Sequence, residues 1–207
     1  MAGDLLLGID ASTAVASVGL VQGDQRIAEI CSLRGSRHGS ELLPLIDKVF
    51  QLSGRQLEDI DGIGVVVGPG SFSGLRVAVA TVKGLSYSLS KKVIGVSTLE
   101  ALVQTIPNAL GRTRVMLDAR GGEVYWATFE YQPNDKTNKY IWRYLSSANL
   151  IKIDNVENEE KILTYEKAAS ENSFDKKELF SIYLRIPFSF NQILNSNEVY
   201  KNLPNYK

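Results

Sequence analysis

The chain has 207 residues, 44% of them hydrophobic, which is enough for one large or two small domains around a sizeable core. Lysine plus arginine and aspartate plus glutamate balance at 23 each, so no overall field draws in nucleic acid or anionic lipid. One cysteine, Cys31, excludes a disulfide framework and a cysteine metal site. The Met-Ala-Gly-Asp start has no basic region ahead of Leu5 to Leu7, and no apolar run approaches the roughly 20 residues of a membrane span, so a soluble, cytoplasmic protein is expected.

Leu5 to Asp10 reads as an apolar strand closed by an aspartate, followed by the small-residue turn Ala11-Ser12-Thr13 and a second strand from Val15 to Val21. A third strand spans about Gln25 to Leu33. A helix follows from Ser40 to about Leu52, with Leu42, Leu45, Ile46 and Val49 on one side and Leu43 and Phe50 beside it. Next come a strand from Gly62 to Val67, a helix from Ser73 to Leu89, a strand from Val93 to Val96 and a helix from Thr98 to Ile106. Three strands and then alternating helices and strands predict a mixed sheet with helices on its faces. This is the half-unit of the actin-like ATPase and sugar-kinase (ribonuclease H-like) α/β architecture.

The opening pattern recurs. Arg114 to Asp118 again ends in aspartate, Ala119 to Gly122 turns, and Val124 to Tyr131 alternates as a strand. The echo predicts a duplicated mixed sheet, with residues 1–107 as a complete half. Residues 108–207 form a reduced second half, whose C-terminal segment is a candidate to pack back on the first. Composition shifts in the same direction: all 17 glycines lie at or before Gly122, and every asparagine except Asn108 lies at or after Asn134. Asn134 to Asn138 reads as an exposed loop. Asn155 to Lys167 reads as a charged helix with Val156, Ile162 and Leu163 facing inward. An aspartate at a hairpin mouth ordinarily bonds its own backbone; two in matched places weigh toward a paired site at a cleft.

Gly68-Pro69-Gly70-Ser71-Phe72-Ser73-Gly74-Leu75-Arg76 leads from the fourth strand into the long helix. The turn has no bulky Cβ in its way, and the helix start presents unpaired N–H groups. Such a place suits an anion, a carboxylate or the close approach of another backbone. A P-loop does not fit, because Ser73 or Leu75 stands at its second glycine and the loop has no lysine. The dinucleotide fingerprint fails at Ser73. A looser reductase pattern fits Gly68, Gly70 and Gly74, with Tyr87 and Lys91 as a Tyr-x-x-x-Lys pair. That pair stands too close to the loop, however, and no acidic residue ends the Val93 strand, so an NADP reductase is a subordinate reading. Ser71 or Ser73 is expected to cap the helix rather than attack a substrate, since no base accompanies them. Arg76 suits a phosphate or a salt bridge across the sheet end. His38, the only histidine, lies in a polar loop with Arg34, Arg37 and Ser40, where solvation is expected rather than general-base work.

On the helix from Ser73, Leu75, Ala78, Val79, Val82, Leu85 and Leu89 form a stripe for its own sheet. Ala80, Gly84 and Ser88, flanked by Val77 and Thr81, form a second line whose small side chains admit another helix closely. Either a neighbour within the chain or a second subunit fills it. Two adjacent helices with surplus apolar face favour an interface. On the first helix the expected contacts are Leu42, Leu43, Ile46 and Phe50. On the loop and the second helix they are Gly70, Phe72 and Arg76 together with the small-residue line and its flanks.

Four segments taken together resemble the TsaB (YeaZ) family: Ile9 to Thr13, Arg37 to Ile46, Gly68 to Arg76, and Asp118-Ala119-Arg120 with Glu123-Val124-Tyr125. The match runs from about Leu5 to Tyr131, and Leu203 to Lys207 is similar to the family's ending. This chain has Ser73 where the family usually has threonine, and Gly39 is inserted between His38 and Ser40. The resemblance implies an accessory subunit of bacterial threonylcarbamoyl-adenosine tRNA modification: a non-catalytic scaffold that binds and stabilises a TsaD-type transferase. It further implies assistance from a TsaE-type ATPase, contact with tRNA only through the complex, and homodimers when the chain is alone. The TsaD family shares the glycine run but carries a histidine pair for metal about thirty residues beyond it; Thr98 and Leu102 stand at those positions here. One histidine cannot make a pair, so no metal is expected. No cofactor is expected on the isolated chain, with ATP or ADP left to the assembled complex. Asp10, Ser12 and Asp118 resemble the phosphate cleft of kinases of this architecture, in vestigial form, since the short second half lacks a glycine-rich adenosine loop. The alternative is a self-sufficient ATP-dependent kinase or hydrolase using Asp10 and Asp118.

Overall fold

The computed structural model describes residues 3–33, 38–105, 111–133, 140–145, 149–152 and 162–164. The first sheet contains β1 (Leu5–Asp10), β2 (Ala16–Gln22), β3 (Gln25–Ser32), β4 (Gly62–Gly68) and β5 (Lys92–Ser97), in the order β3-β2-β1-β4-β5. β2 runs antiparallel to β1 and β3, while β4 runs parallel to β1 and β5. Helix α1 (His38–Ser53) lies on the crossover from β3 to β4, and α2 (Phe72–Leu89) on that from β4 to β5. The sequence therefore becomes the mixed α/β sheet that its pattern predicts.

Alternation decides which face of this sheet is buried by the long helices. Leu5, Leu7 and Ile9 of β1 join Val18, Leu20, Ile63 and Val65 on one side, under Leu42, Ile46 and Val49 of α1 and Ala78 and Val82 of α2. Burying each such side chain contributes about 1.5–3 kcal/mol, which outweighs the weak propensities of a helix carrying Gly39 and Pro44.

The second sheet contains β6 (Gly111–Arg120), β7 (Glu123–Pro133), β8 (Tyr140–Tyr144), β9 (Asn149–Lys152) and β10 (Ile162–Thr164). Its order is β10-β6-β7-β8, with β9 also paired to β7. The β6–β7 hairpin repeats β1–β2, and β10 runs parallel to β6 as β4 does to β1. Helix α3 (Thr98–Val103) links the two sheets. Its Leu99 and Val103 pack on Val115, Leu117, Ala127 and Phe129, and the Phe129 and Tyr144 rings stand 4.3 Å apart.

Several expectations change. Ile162, Leu163 and Thr164 are strand, not part of a helix across 155–167. Pairing them with Arg114–Met116 satisfies backbone groups along the β6 edge that a helix would leave unpaired there. His38 and Gly39 lie in the first turn of α1 rather than in a loop, and α3 ends at Val103. Asn134–Asn138, Arg34, Arg37, Ile106, the remainder of 155–167 and Leu203–Lys207 lie outside the described residues.

Candidate functional site

The two aspartates singled out by the sequence do the same backbone work. Asp10 Oδ1 accepts a hydrogen bond from the Ser12 N–H at 2.7 Å, and Asp118 Oδ1 accepts one from the Arg120 N–H at 2.7 Å. Each carboxylate thus closes the turn that follows its strand. Their surroundings differ: Asp10 is 1% exposed, whereas Asp118 is exposed. Thr13 Oγ1 accepts from Val15 N–H and donates to Val15 C=O, completing the first turn.

The glycine loop lies directly against that turn. The Ser71 N–H donates to the Ser12 carbonyl at 2.6 Å. A Cβ on Gly70 would stand 2.2 Å from the same oxygen, and the Gly70 φ of 153° is one that side-chain-bearing residues rarely adopt. Of the uses the sequence leaves open, this loop realises the close approach of another backbone. Ser12 Oγ is buried at this contact without a hydrogen-bond partner. On its other side the loop is held by Thr98, whose Oγ1 donates to the Pro69 carbonyl at 2.5 Å. Ser71 is the cap of α2, its Oγ accepting from the Gly74 N–H, and Ser73 Oγ lies 3.4 Å from Ser71 Oγ.

The helix faces divide less evenly than apolar spacing suggests. Leu42 is wholly internal, and Ile46 and Phe50 are buried on the floor of a shallow groove also lined by Leu43, Leu57 and Leu85. These three belong to the chain's own core and are corrected as side chains available to a partner. Leu43 is the outward one, 59% exposed. On α2, Phe72 is 74% exposed, and the exposed Arg76 places its guanidinium 5.4 Å from the Phe72 ring centre, a cation–π contact; among the described residues it bridges to no acid. Ala80, Gly84 and Ser88 are all exposed, flanked by partly buried Val77 and Thr81. Among the described residues, nothing beyond α2's own backbone and the adjoining residues lies within 4 Å of where a Gly84 Cβ would stand. The small-residue line therefore faces outward, with α1 beside it but not over it.

Tyr87 is 91% exposed on the same helix. It lies about 20 Å from Gly74 at ~1.5 Å of rise per residue. In a reductase that loop would hold the pyrophosphate while the tyrosine reaches the nicotinamide ring beside it; an outward-facing side chain at the far end of α2 does not, so the reductase pairing of Tyr87 with Gly68–Gly74 is set aside. Its exposure on the outward side is instead a feature that sequence reasoning missed. Thr98 was missed as well, having been noticed only as a poor metal ligand. Among the described residues no three of His, Cys, Asp and Glu gather as a metal site.

Burial sets the electrostatics. Desolvation raises the Glu29 carboxyl above its usual range, partly offset by Arg26; Glu29 Oε2 takes the Arg26 bond and Oε1 is buried without a partner. Burial, then the nearby Glu29 and Asp10, push the Cys31 thiol up to about 12; its half-buried side chain packs beside Val15, Val66, Val96 and Ala101. Tyr144 is pushed up to about 12 by burial and shares a hydrogen bond with the Ser97 side chain. Glu100 is raised by burial, offset by the bond its carboxylate accepts from the Ser97 N–H at 3.2 Å.

A family model for TsaD, the tRNA N6-adenosine threonylcarbamoyltransferase, matches residues 32–199. The chain is 36% identical over 131 residues to the tRNA threonylcarbamoyladenosine biosynthesis protein TsaB of Escherichia coli, a match spanning 62% of this chain and 56% of that relative's length. It is 29% identical over 206 residues to TsaB of Buchnera aphidicola, covering 91% and 94% of the two chains. Among solved structures, YeaZ from Pseudomonas aeruginosa superposes with a TM-score of 0.64 at 28% identity, covering 74% of this chain and 70% of that one.

Gly70→Ala should destabilise the chain by more than about 1 kcal/mol, because φ and space are both wrong for a Cβ; urea unfolding reads this. Glu100→Gln should raise the melting temperature at pH 7. A carboxyl whose pKa is raised by folding holds its proton more tightly when folded, so stability falls as pH climbs from the unfolded value through the folded one and stays lower above it. Glutamine keeps the acceptor for Ser97 and removes the charge. The gain should therefore vanish as pH falls below the ordinary carboxylate range, in melts run across acid pH.

Proposed function

The chain belongs to the family that the TsaD model defines, and within it to the TsaB (YeaZ) proteins, and from that premise we propose that it is a non-catalytic subunit of tRNA threonylcarbamoyladenosine formation. In this reading it docks a TsaD-type transferase on the outer faces of α1 and α2. The observation that carries the proposal is the outward line Ala80, Gly84 and Ser88, with open space at Gly84, on a pair of helices that also expose Leu43, Phe72 and Tyr87. Small side chains let a partner helix come within about 8–10 Å. Covering those apolar groups contributes about 25 cal/mol per Å².

The non-catalytic part is supported from inside the fold. Thr98 and Leu102 stand where the resemblance puts metal ligands, yet Thr98 is committed to Pro69 and Leu102 packs on the core around α3. The turn after β1 is covered by the chain's own Gly70–Ser71 backbone. A TsaE-type ATPase would assist the pair, tRNA would meet the chain only through the complex, and all of this would take place in the cytoplasm. Without the partner the same face would join a second copy. ATP or ADP would belong to the assembled complex.

A second reading, a self-sufficient ATP-dependent kinase or hydrolase, draws on the matched turns at Asp10 and Asp118. Calorimetry separates the two. The scaffold reading expects no low-micromolar ATP binding by the isolated chain, an affinity that would be about −8 kcal/mol.

Gly84→Arg is the direct test of the docking face. The site is open, and replacing glycine in a helix gains up to about 1 kcal/mol of helix propensity, so the fold should survive. Binding of the TsaD-type subunit should be lost in sizing chromatography, because the long charged side chain holds the helices apart. A complex that stays intact places the interface elsewhere.

A further inference from the structure

We propose that Thr98 is a positioning residue for the docking face, acting through the Gly68–Ser71 loop; the proposal rests on the reading that α2 presents that face. Thr98 is the first residue of α3, and the helix does not need its hydroxyl. The cap is already complete: Ser97 Oγ accepts from the Leu99 N–H, and Glu100 returns a bond to the Ser97 N–H. Nor does the core need the hydroxyl, since Thr98 is fully buried and a valine would fill the same volume. A hydroxyl at such a place is costly unless it is bonded. Its bond goes 29 residues back, to the Pro69 carbonyl at 2.5 Å.

That bond is one of two clamps on a single short loop. Thr98 holds Pro69 from the α3 side, and the Ser12 carbonyl holds the Ser71 N–H from the β1 side. Gly70 lies between them with no room for a side chain. The clamped loop delivers Ser71 as the cap of α2, and the next residue is the exposed Phe72, over which Arg76 lies. The position of Phe72 and Arg76 therefore depends on a hydroxyl that itself makes no contact with solvent. Thr98 opens α3, whose Leu99 and Val103 pack on the second sheet, so the clamp is anchored to that sheet as well as to the first.

The test compares Thr98→Val and Thr98→Ser with the unaltered chain in two measurements: affinity for the purified TsaD-type subunit of the same organism, and hydrogen exchange at the Ser71 amide. Thr98→Val should bind about tenfold more weakly, because in the free variant the loop relaxes until the Pro69 carbonyl meets water, and docking must return it to its buried place unpaired. It should also speed exchange at Ser71, while Thr98→Ser restores both. Unchanged affinity in Thr98→Val overturns the proposal. So does weaker binding with Ser71 as protected as before, since the loss would not then run through the loop. If the unaltered chain fails to bind the subunit, the scaffold reading fails, and the exchange measurement alone decides whether Thr98 holds the loop. Should Thr98→Val not fold, Thr98→Ala removes the hydroxyl without adding a methyl and is judged by the same two criteria.

Discussion

A single backbone contact, Ser71 N–H to the Ser12 carbonyl at 2.6 Å, governs the arrangement of everything around it. It requires the chain leaving β4 to pass as close to the turn after β1 as a neighbouring strand would. Only a residue without a side chain can stand at position 70 in that passage. Once the passage is made, Ser71 is in place to cap α2 and the axis of α2 is set. The helix then buries Ala78 and Val82 on the sheet and turns Ala80, Gly84 and Ser88 outward. The shape of the outer face thus follows from a contact on the inside.

The duplication shows how one local device acquires two environments. Both hairpins close with an aspartate accepting from the residue two positions on. In the first, the glycine loop covers the turn and the aspartate is buried. In the second, Arg120, Gly121 and Gly122 all take positive φ, and the aspartate stands in solvent. The same hydrogen bond does not make the same site, because one carboxylate is sealed beneath a loop and the other stands open to water.

Much of this was legible in the sequence, for identifiable reasons. Alternation over Leu5–Ile9 and the three-to-four spacing along α2 are strong signals because each is repeated several times on one element. The small-residue line at Ala80, Gly84 and Ser88 was legible because such spacing is unusual on a helix that already has a full apolar stripe. The division of α1 was not. Periodicity places Leu42, Leu43, Ile46 and Phe50 around the helix but does not say how wide an arc is buried. That width comes from α1 packing on the sheet and beside α2 together. β10 was illegible because three residues carry no period and their pairing with β6 joins distant parts of the chain. Thr98 was illegible as a clamp because nothing in the sequence announces a bond reaching 29 positions away.

The contact at the first turn also has an evolutionary consequence. At position 12 it uses a main-chain oxygen, which every amino acid supplies, so this bond alone does not dictate the residue there. At position 70 it admits one residue type, because any Cβ collides with that same oxygen. Position 98 is restricted differently, to a short side chain that ends in a donor. The contact therefore leaves position 12 open to whatever small residue its burial admits, while it holds position 70 nearly fixed. A change at position 70 would require moving the whole of α2, together with the surface it carries.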